Sequence, residues 1–396
     1  MSILSRESHS ASQPSVDWEA YRAAYFPIAR KLRYFDHAAV SPLCQPAHDA
    51  IRNWLTEATE CGDTVWPDWA RRLEGIRQTA AELVNAQVSE IGFVPSTTFG
   101  ISIVSEGIPW QRGDNVVLPS GEFPSNLFPW KHLADRGVEL RIVETGKQGE
   151  LKPEQIDQAC DRKTRLVACS WVGYATGYRI CPRQLAEIAH AHGAYFFLDA
   201  IQGLGVFPLD VRESGVDFFS ADGHKWLMGP EGAGLFFCRH ELLDELRPCV
   251  VGWNSVQNSY DFGKSELRFK ESASRFEAGT QNMAGLLGMG ASLDLIVRTG
   301  VTASQSPVGE RVIELTRSYG EKLEKIGFRS HCSTETAHRS GILSVSKPGT
   351  DPAAVRAHLL QRGAVTSVRK NLLRFSPHAY NNEQDIELTI ESLRDL

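Results

Sequence analysis

The 396-residue chain has no excess of basic residues; its formal net charge is −6. The usual electrostatic reason to expect a nucleic acid or an anionic membrane surface as partner is therefore missing. No apolar run is long enough to span a bilayer. The opening stretch, MSILSRESHSASQPS, lacks the apolar centre of a signal peptide. It reads as a polar tail, or as an arm docking on a partner subunit. None of the eight cysteines pairs with another at C-x-x-C spacing, which argues against a zinc site and a dithiol redox motif. Reduced thiols in a cytoplasmic protein are the plain reading. The closest histidine pair, His190 and His192, stands two apart near a helix end and points to different faces, so no metal site is expected. No G-x-G-x-x-G follows the early strands, against a nicotinamide dehydrogenase. Internal repeats and low-complexity blocks are absent too.

What is present is an ordinary globular composition, 42% hydrophobic and 23% charged, in a chain long enough for two domains. Apolar runs at 91–94, 116–118, 166–169 and 195–198 read as buried strands. Helical patterns lie between them, such as 181–192 with Pro182 in its first turn. This alternation predicts an α/β fold, a mostly parallel sheet with helices on both faces. Ligands in such sheets bind at the carboxyl ends of the strands. Later segments read as a helix over 309–326, a strand over 341–346, a helix over 351–362 with an Asp N-cap and Gly363 behind it, and a last helix over 381–393. The expected division is a segment 1–30 packing on the small domain, a large domain 31–264 and a smaller α/β domain 265–396.

Two polar residues stand out. Asp199 ends the apolar run YFFLD, and Lys225 follows a second one in VDFFSADGHKWLMGPEG. A strand delivering a carboxylate and a later strand delivering a lysine into a glycine-rich turn suit pyridoxal 5'-phosphate: the lysine holds the cofactor as a Schiff base, and the aspartate keeps its pyridine nitrogen protonated. A bland account exists for each, a helix N-cap for Asp199 and a solvated amine for Lys225. Yet Trp226, Leu227 and Met228 are poor company for a surface lysine, and burial eases its deprotonation. Gln202 is placed to meet the cofactor's phenolic oxygen, and His224 to stack or hydrogen-bond nearby. Ser96, Thr97 and Thr98 open a helix after the strand 91–94, an anion site or a plain cap. Arg374, in LLRFSPHAYNN, suits either a surface salt bridge or a bidentate clamp on an α-carboxylate.

Assembled in order, YFDHAAVSP, STTFGIS, GEFPSNLFPW, WVGYATG, LDAIQ, GHKWLMGPEG, RFEAGTQN and RFSPHAYNN make the chain resemble the class V aminotransferases, within the fold-type-I pyridoxal-phosphate enzymes. The resemblance runs from about Tyr34 to the C-terminus and touches the cysteine desulfurase, isopenicillin N epimerase and kynureninase branches. It implies that Lys225 carries the cofactor and moves the α-proton, Asp199 pairs with the pyridine nitrogen, and Thr97 and Thr98 hold the phosphate. Phe123 takes the ring-stacking position. Asn126, Tyr174, Ser220 and His224 fall among the cofactor contacts. Arg374 matches the substrate-carboxylate arginine, with His37 and Ala38 near the substrate. Thr280 and Trp253 are expected to reach the other subunit's cofactor, so the resemblance implies a homodimer with shared active sites.

Departures bear on the reaction. The loop that carries a nucleophilic cysteine in desulfurases is here QRGAVTSVRKNLLR, shortened and without cysteine. Asp222 replaces a serine that often donates to the phosphate; it is expected to turn away, with Ser220 substituting. The leading expectation is an aminotransferase-like enzyme on a small α-amino acid. The alternatives are a lyase (C–S β-elimination without a catalytic cysteine, or kynureninase-like cleavage), an epimerase, and a non-catalytic binding protein.

Overall fold

A computed structural model describes residues 16–263 and 265–394. The polar stretch expected to form a tail or a docking arm lies outside them. The described residues form thirteen strands: β1 (Arg33–Tyr34), β2 (Ile91–Val94), β3 (Asn115–Pro119), β4 (Glu139–Val143), β5 (Thr164–Ser170), β6 (Tyr195–Asp199), β7 (Phe218–Asp222), β8 (Gly234–Cys238), β9 (Arg329–Ser330), β10 (Leu343–Ser346), β11 (Ala364–Val365), β12 (Ser367–Arg369) and β13 (Leu372–Phe375). Seven make one mixed sheet in the order β2-β8-β7-β6-β5-β3-β4. Only β8 runs against the other six. The expected α/β architecture is therefore formed, and β2, β3, β5, β6 and β7 all end at one edge of it.

The two faces of this sheet are sealed by separate apolar cores, as strand alternation requires. Phe196, Leu198 and Phe219 point to one face, where they meet Leu73, Leu286 and Leu293. Phe197, Phe218 and Phe236 point to the other, against Ile101, Val104 and Trp130. The helix Met283–Arg298 lies beyond the boundary expected near residue 265, yet it packs its apolar side on the helices Gln45–Cys61 and Trp66–Leu83 and joins the first of these cores. A second sheet, β12-β13-β10-β9, carries its own core around Leu315, Tyr319, Val345, Phe375 and Ile386.

The segment just inside the N-terminus ties the two sheets together. β1 pairs in parallel with β11, and Asp36 bridges to Ser376. Arg22 clamps Asp385 of the last helix through two hydrogen bonds of 2.7 and 2.8 Å, and Phe26 stacks on Tyr380 at 4.0 Å. None of the helices among the described residues is long and apolar enough to cross a membrane.

One buried ion pair fixes the sheet edge that carries the site. Arg77 donates to both oxygens of Glu277, at 2.6 and 3.2 Å, and to the Ile91 carbonyl at 2.8 Å. Glu277 also accepts the Phe93 N–H at 2.8 Å. The motif FEAGT is thus stitched to β2, the strand that leads into Thr97. Removing Glu277 leaves buried Arg77 with the largely exposed Glu74, at 3.1 Å, as its remaining counter-charge, and strips the Phe93 N–H of its acceptor. We expect Glu277→Ala to lower folding stability by about 3–5 kcal/mol, read as a shift of the denaturant midpoint. An unchanged midpoint would show that the pair is dispensable.

Candidate active site

A cavity of about 320 Å³ opens at the carboxyl ends of β2, β5, β6 and β7 and is closed from the far side by β12 and β13. Asp199, the last residue of β6, is 3% exposed. One carboxylate oxygen accepts the Ile201 N–H at 3.1 Å, and no described residue donates to the other. Desolvation raises its pKa to about 6, against the pull of the Ile201 N–H and the Lys225 charge. Lys225 lies in the loop after β7. Burial lowers its pKa to about 8, opposed chiefly by Asp199. Among the described residues its amine has no ion-pair partner, and it sits 5.6 Å from the centroid of the Phe123 ring.

The loop that presents Lys225 is held rigidly. Gly223 donates to the Ala233 carbonyl at 2.8 Å, Met228 to Lys225 at 3.1 Å, and Gly229 back to Gly223 at 2.9 Å. Met228 adopts φ +57, a left-handed backbone uncommon for such a side chain, and a local strain of the kind that clusters at functional sites. A side chain at Gly223 would run into the Ala233 carbonyl, so only glycine lets the loop lie this close to β8.

Gln202 is oriented from behind. Trp226 has only an N–H to give, and it gives it to Gln202 Oε1 at 2.8 Å. The amide nitrogen must then be the donor end; it bonds the Ala38 carbonyl at 2.9 Å and keeps one hydrogen for the cavity. At the opposite end, Ser96 caps the helix Thr97–Gly107 by accepting from Phe99. Thr97 Oγ1 accepts the Asp222 N–H at 2.9 Å, and Thr98 Oγ1 bonds Ser125 Oγ at 2.9 Å. The first-turn N–H groups of this helix face no intrahelical acceptor, which makes the end an anion site.

Arg374, on β13, is 1% exposed and closely constrained. It donates to Ser367 Oγ at 3.1 Å, to the Tyr174 carbonyl at 2.9 Å and to Asp36 at 3.2 Å. Two of its five N–H groups remain. Burial lowers its pKa to about 10, so it stays charged at neutral pH.

Thr97, Thr98, Phe123, Tyr174, Asp199, Gln202, His224, Lys225, Ala38 and Arg374 all line this one cavity. Five expected residues do not. Asn126 is spent on scaffolding, donating to Glu122 and accepting from Trp130. Ser220 lies two residues inside β7, under Gly100, where a Cβ would overlap its side chain. Asp222, at the strand end, is among the cavity residues; its carboxylate accepts the Gly223 N–H at 2.7 Å, and its Oδ2 lies 3.0 Å from His224 Nδ1, near enough for an ion pair but not aligned as a hydrogen bond. His37 is fully buried among Trp226, His378 and Tyr380, and desolvation lowers its pKa to about 4, so it is neutral. Trp253 packs edge-on to Tyr260 and Phe262, and Thr280 is exposed.

Other residues enter without having been expected. Glu122 accepts the Ser170 N–H at 2.8 Å and also the Ser170 hydroxyl; desolvation lifts its pKa to about 7. Asp36, which anchors Arg374, and Glu122 both sit in quoted motifs, YFDHAAVSP and GEFPSN, where a lone carboxylate reads as solvated. Arg369 lines the cavity as well.

The donor set fits pyridoxal 5'-phosphate: a buried carboxylate oxygen lacking a donor, an unpaired amine, an aromatic ring beside it, a spare amide N–H and a helix N-terminus. Comparisons with known proteins agree. Residues 33–388 match the family described as aminotransferase class-V. A protein of Methanothermobacter thermautotrophicus named probable cysteine desulfurase is 31% identical over 392 residues, spanning 93% of this chain and 96% of that one. The solved cysteine desulfurase of Thermococcus onnurineus NA1 superposes with a TM-score of 0.86 at 25% identity, covering 95% and 97% of the two chains. The cystine C-S lyase C-DES, solved with cysteine persulfide, superposes with a TM-score of 0.86 at 22% identity, covering 94% and 99%. The chain belongs to the class V aminotransferase family, and its cofactor is pyridoxal 5'-phosphate.

The raised Asp199 pKa makes a prediction of definite sign. Folding binds a proton to Asp199 more tightly than the unfolded chain does. This residue's contribution to apoprotein stability is therefore fully present below about pH 4 and lost as pH rises through about 6. Above that pH the isosteric Asp199→Asn apoprotein is expected to be more stable than the parent, by up to ~3 kcal/mol, while binding the cofactor more weakly. Melting curves against pH and cofactor titration test both halves. An apoprotein destabilised by the substitution would contradict the account.

Proposed function

We propose that this member of the class V aminotransferase family acts on a free α-amino acid, with aminotransferase-like chemistry at Cα. The observation that carries the reading is Lys225: a desolvated amine of lowered pKa with no salt bridge, in one cavity with Arg374. Two free N–H groups of Arg374 receive the α-carboxylate as a charge-assisted pair. That contact orients the amino acid so that its Cα–H falls to Lys225 Nζ, which takes the proton and later returns it. When bound, the cofactor serves as the electron sink for the charge left at Cα. Asp199 holds the sink's protonated end, Gln202 its oxygen, and the helix Thr97–Gly107 with Thr98 its phosphate. Phe123 supplies stacking area and no proton, which leaves proton traffic to Lys225.

A second reading, C–S bond cleavage by β-elimination, is favoured by the names of the relatives, cysteine desulfurase and cystine C-S lyase. A thiol route of the desulfurase kind has little support, because none of the eight cysteines lines the Asp199–Lys225 cavity. Cys332 instead accepts the Ser344 N–H within the small sheet.

Single-turnover experiments separate the two. Transamination converts bound cofactor to its amine form and releases one keto acid per site. Pyruvate with sulfide, and no accumulation of the amine form, would sink it. Lys225→Ala is expected to keep the fold while cutting turnover by about three orders of magnitude or more, since it removes the general base along with the covalent tether. Cys332→Ala should leave turnover unchanged under either reading.

The homodimer is part of the proposal. Supporting it are Tyr260, Phe262 and Leu267, which stand 59%, 78% and 65% exposed, with exposed Thr280 nearby in sequence. Patches of this kind mark interaction sites. Sedimentation is expected to give twice the chain mass, and Thr280→Ala to weaken cofactor retention without changing that mass. A monomer with full cofactor affinity would rule out shared sites.

A further inference from the structure

We propose that Arg369 receives a second anionic group on the substrate, so that the preferred substrates are α-amino acids whose side chain ends in a carboxylate or a comparable acid. This rests on the reading of the cavity as an amino-acid site and names the substrate class for it.

The placement follows from strand geometry. β12 and β13 pair antiparallel, with Ser367 opposite Arg374 and Arg369 opposite Leu372. Side chains two apart on a strand share a face, and so do directly opposed residues. Ser367, Arg369, Leu372 and Arg374 therefore sit on one face of the small sheet, and both arginines line the cavity wall. The turn joining the strands is Lys370–Asn371, with φ +47 and +62. Two consecutive left-handed residues are the mark of a tight two-residue hairpin, which fixes register and aim. Arg369 is thus presented by a stiff element.

The two arginines differ in what they already hold. Arg374 has three of its N–H groups committed to Ser367, Tyr174 and Asp36. Arg369 donates only to the neighbouring Val368 carbonyl, at 2.9 Å, and no carboxylate among the described residues pairs with it. A half-buried guanidinium without a counter-charge is a poor arrangement for stability alone. It is a good one for an anionic ligand, because the fork geometry suits a carboxylate. The cavity's own acids point to other partners: Asp199 accepts the Ile201 N–H, and Asp222 accepts the Gly223 N–H at 2.7 Å and lies 3.0 Å from His224 Nδ1.

Space for a longer side chain lies next door. A second cavity of about 340 Å³ shares Ser170 and Tyr174 with the first. Its wall carries Lys147, His331 and Lys370, and its only acid, Glu122, is committed to Ser170 and Asn126. Lys370 Nζ stands 5.7 Å from the Tyr174 ring centroid, at the boundary between the two cavities. A side chain leaving the Lys225–Arg374 region past Tyr174 therefore enters a cavity whose wall carries the amines of Lys370 and Lys147.

The test is equilibrium titration of the holoenzyme, read by the cofactor's absorbance, with L-aspartate and L-glutamate against L-asparagine and L-glutamine. The acids are expected to bind at least tenfold more tightly than their amides. Arg369→Met should weaken the acids at least tenfold and the amides less than twofold, with melting temperature and cofactor content unchanged. Equal affinity for acid and amide in the parent overturns the proposal. So does equal weakening of both in the variant, which would make Arg369 part of the α-carboxylate clamp. If no amino acid of either kind perturbs the bound cofactor, the amino-acid reading itself fails, and the subsite with it.

Discussion

A buried carboxylate that lacks a full set of donors is the constraint on which the rest of this site depends. Asp199 is 3% exposed and receives one backbone N–H, so burial pushes its proton affinity up. The protein could relieve this with a salt bridge to Lys225, but the two groups are left without one. Each is therefore held in a state that a ligand improves: the carboxylate by a protonated ring nitrogen, the amine by a carbonyl carbon. Glu122, in the loop after β3, feels the Asp199 charge in turn: it adds to the desolvation that raises the Glu122 pKa. The energy withheld from the apoprotein is returned on cofactor binding, which is how a site acquires both affinity and electrostatic orientation from one residue.

Rigidity around that residue comes from long-range pairs. Trp226 sets the Gln202 amide, and the Ala38 carbonyl completes it, so an N-terminal segment and the Lys225 loop meet through one side chain. Asp36 from the same segment anchors Arg374 together with Ser367. Buried polar networks of this kind fix geometry more than they add stability. Arg374 is thereby immobilised before substrate arrives, whereas Arg369, on a stiff turn but with its charge unpaired, is poised for a ligand. On the proposed reading, pre-organisation at the common carboxylate and open valence at the variable end form a division of labour that suits discrimination among amino acids.

How much of this could be read in the sequence follows from the range of each interaction. Asp199 and Lys225 were legible because they end or follow short apolar runs, and a parallel sheet gathers strand ends at one edge. The helix Pro352–Gln361 was legible through its Asp351 cap and the left-handed Gly363 behind it. β4 was not, since it lies at the sheet edge and four of its five residues, Glu139–Ile142, remain partly or largely exposed. Asn126, Ser220 and His37 were assigned by position within motifs, yet position does not reveal depth: one supports Glu122, one lies below the cavity floor, one is sealed in an aromatic cluster. Asp36 and Arg374 are 338 residues apart, and Glu122 and Ser170 are 48 apart. The first pairing exists only once the segment around β1 has docked on the small sheet, and the second only once β3 and β5 lie side by side.

The position of the thiols bears most directly on which bond this framework is built to break. Sulfur transfer through an enzyme thiol requires a cysteine that reaches the substrate, on a loop free to move. Here the stretch that precedes Arg374 is instead a two-residue hairpin, stiff by its own backbone and tipped with Arg369 and Lys370. Cys332 is locked to Ser344 on β10, and Cys169 is a buried thiol whose pKa desolvation drives far above the range where a thiolate forms. The hairpin thus replaces a nucleophile with fixed positive charge. On the proposed reading, such a site gains nothing for persulfide chemistry, but it gains a means of holding an acidic side chain still while Lys225 works at Cα. That trade supports proton transfer at Cα, rather than thiol attack, as the chemistry for which the chain's own residues are arranged.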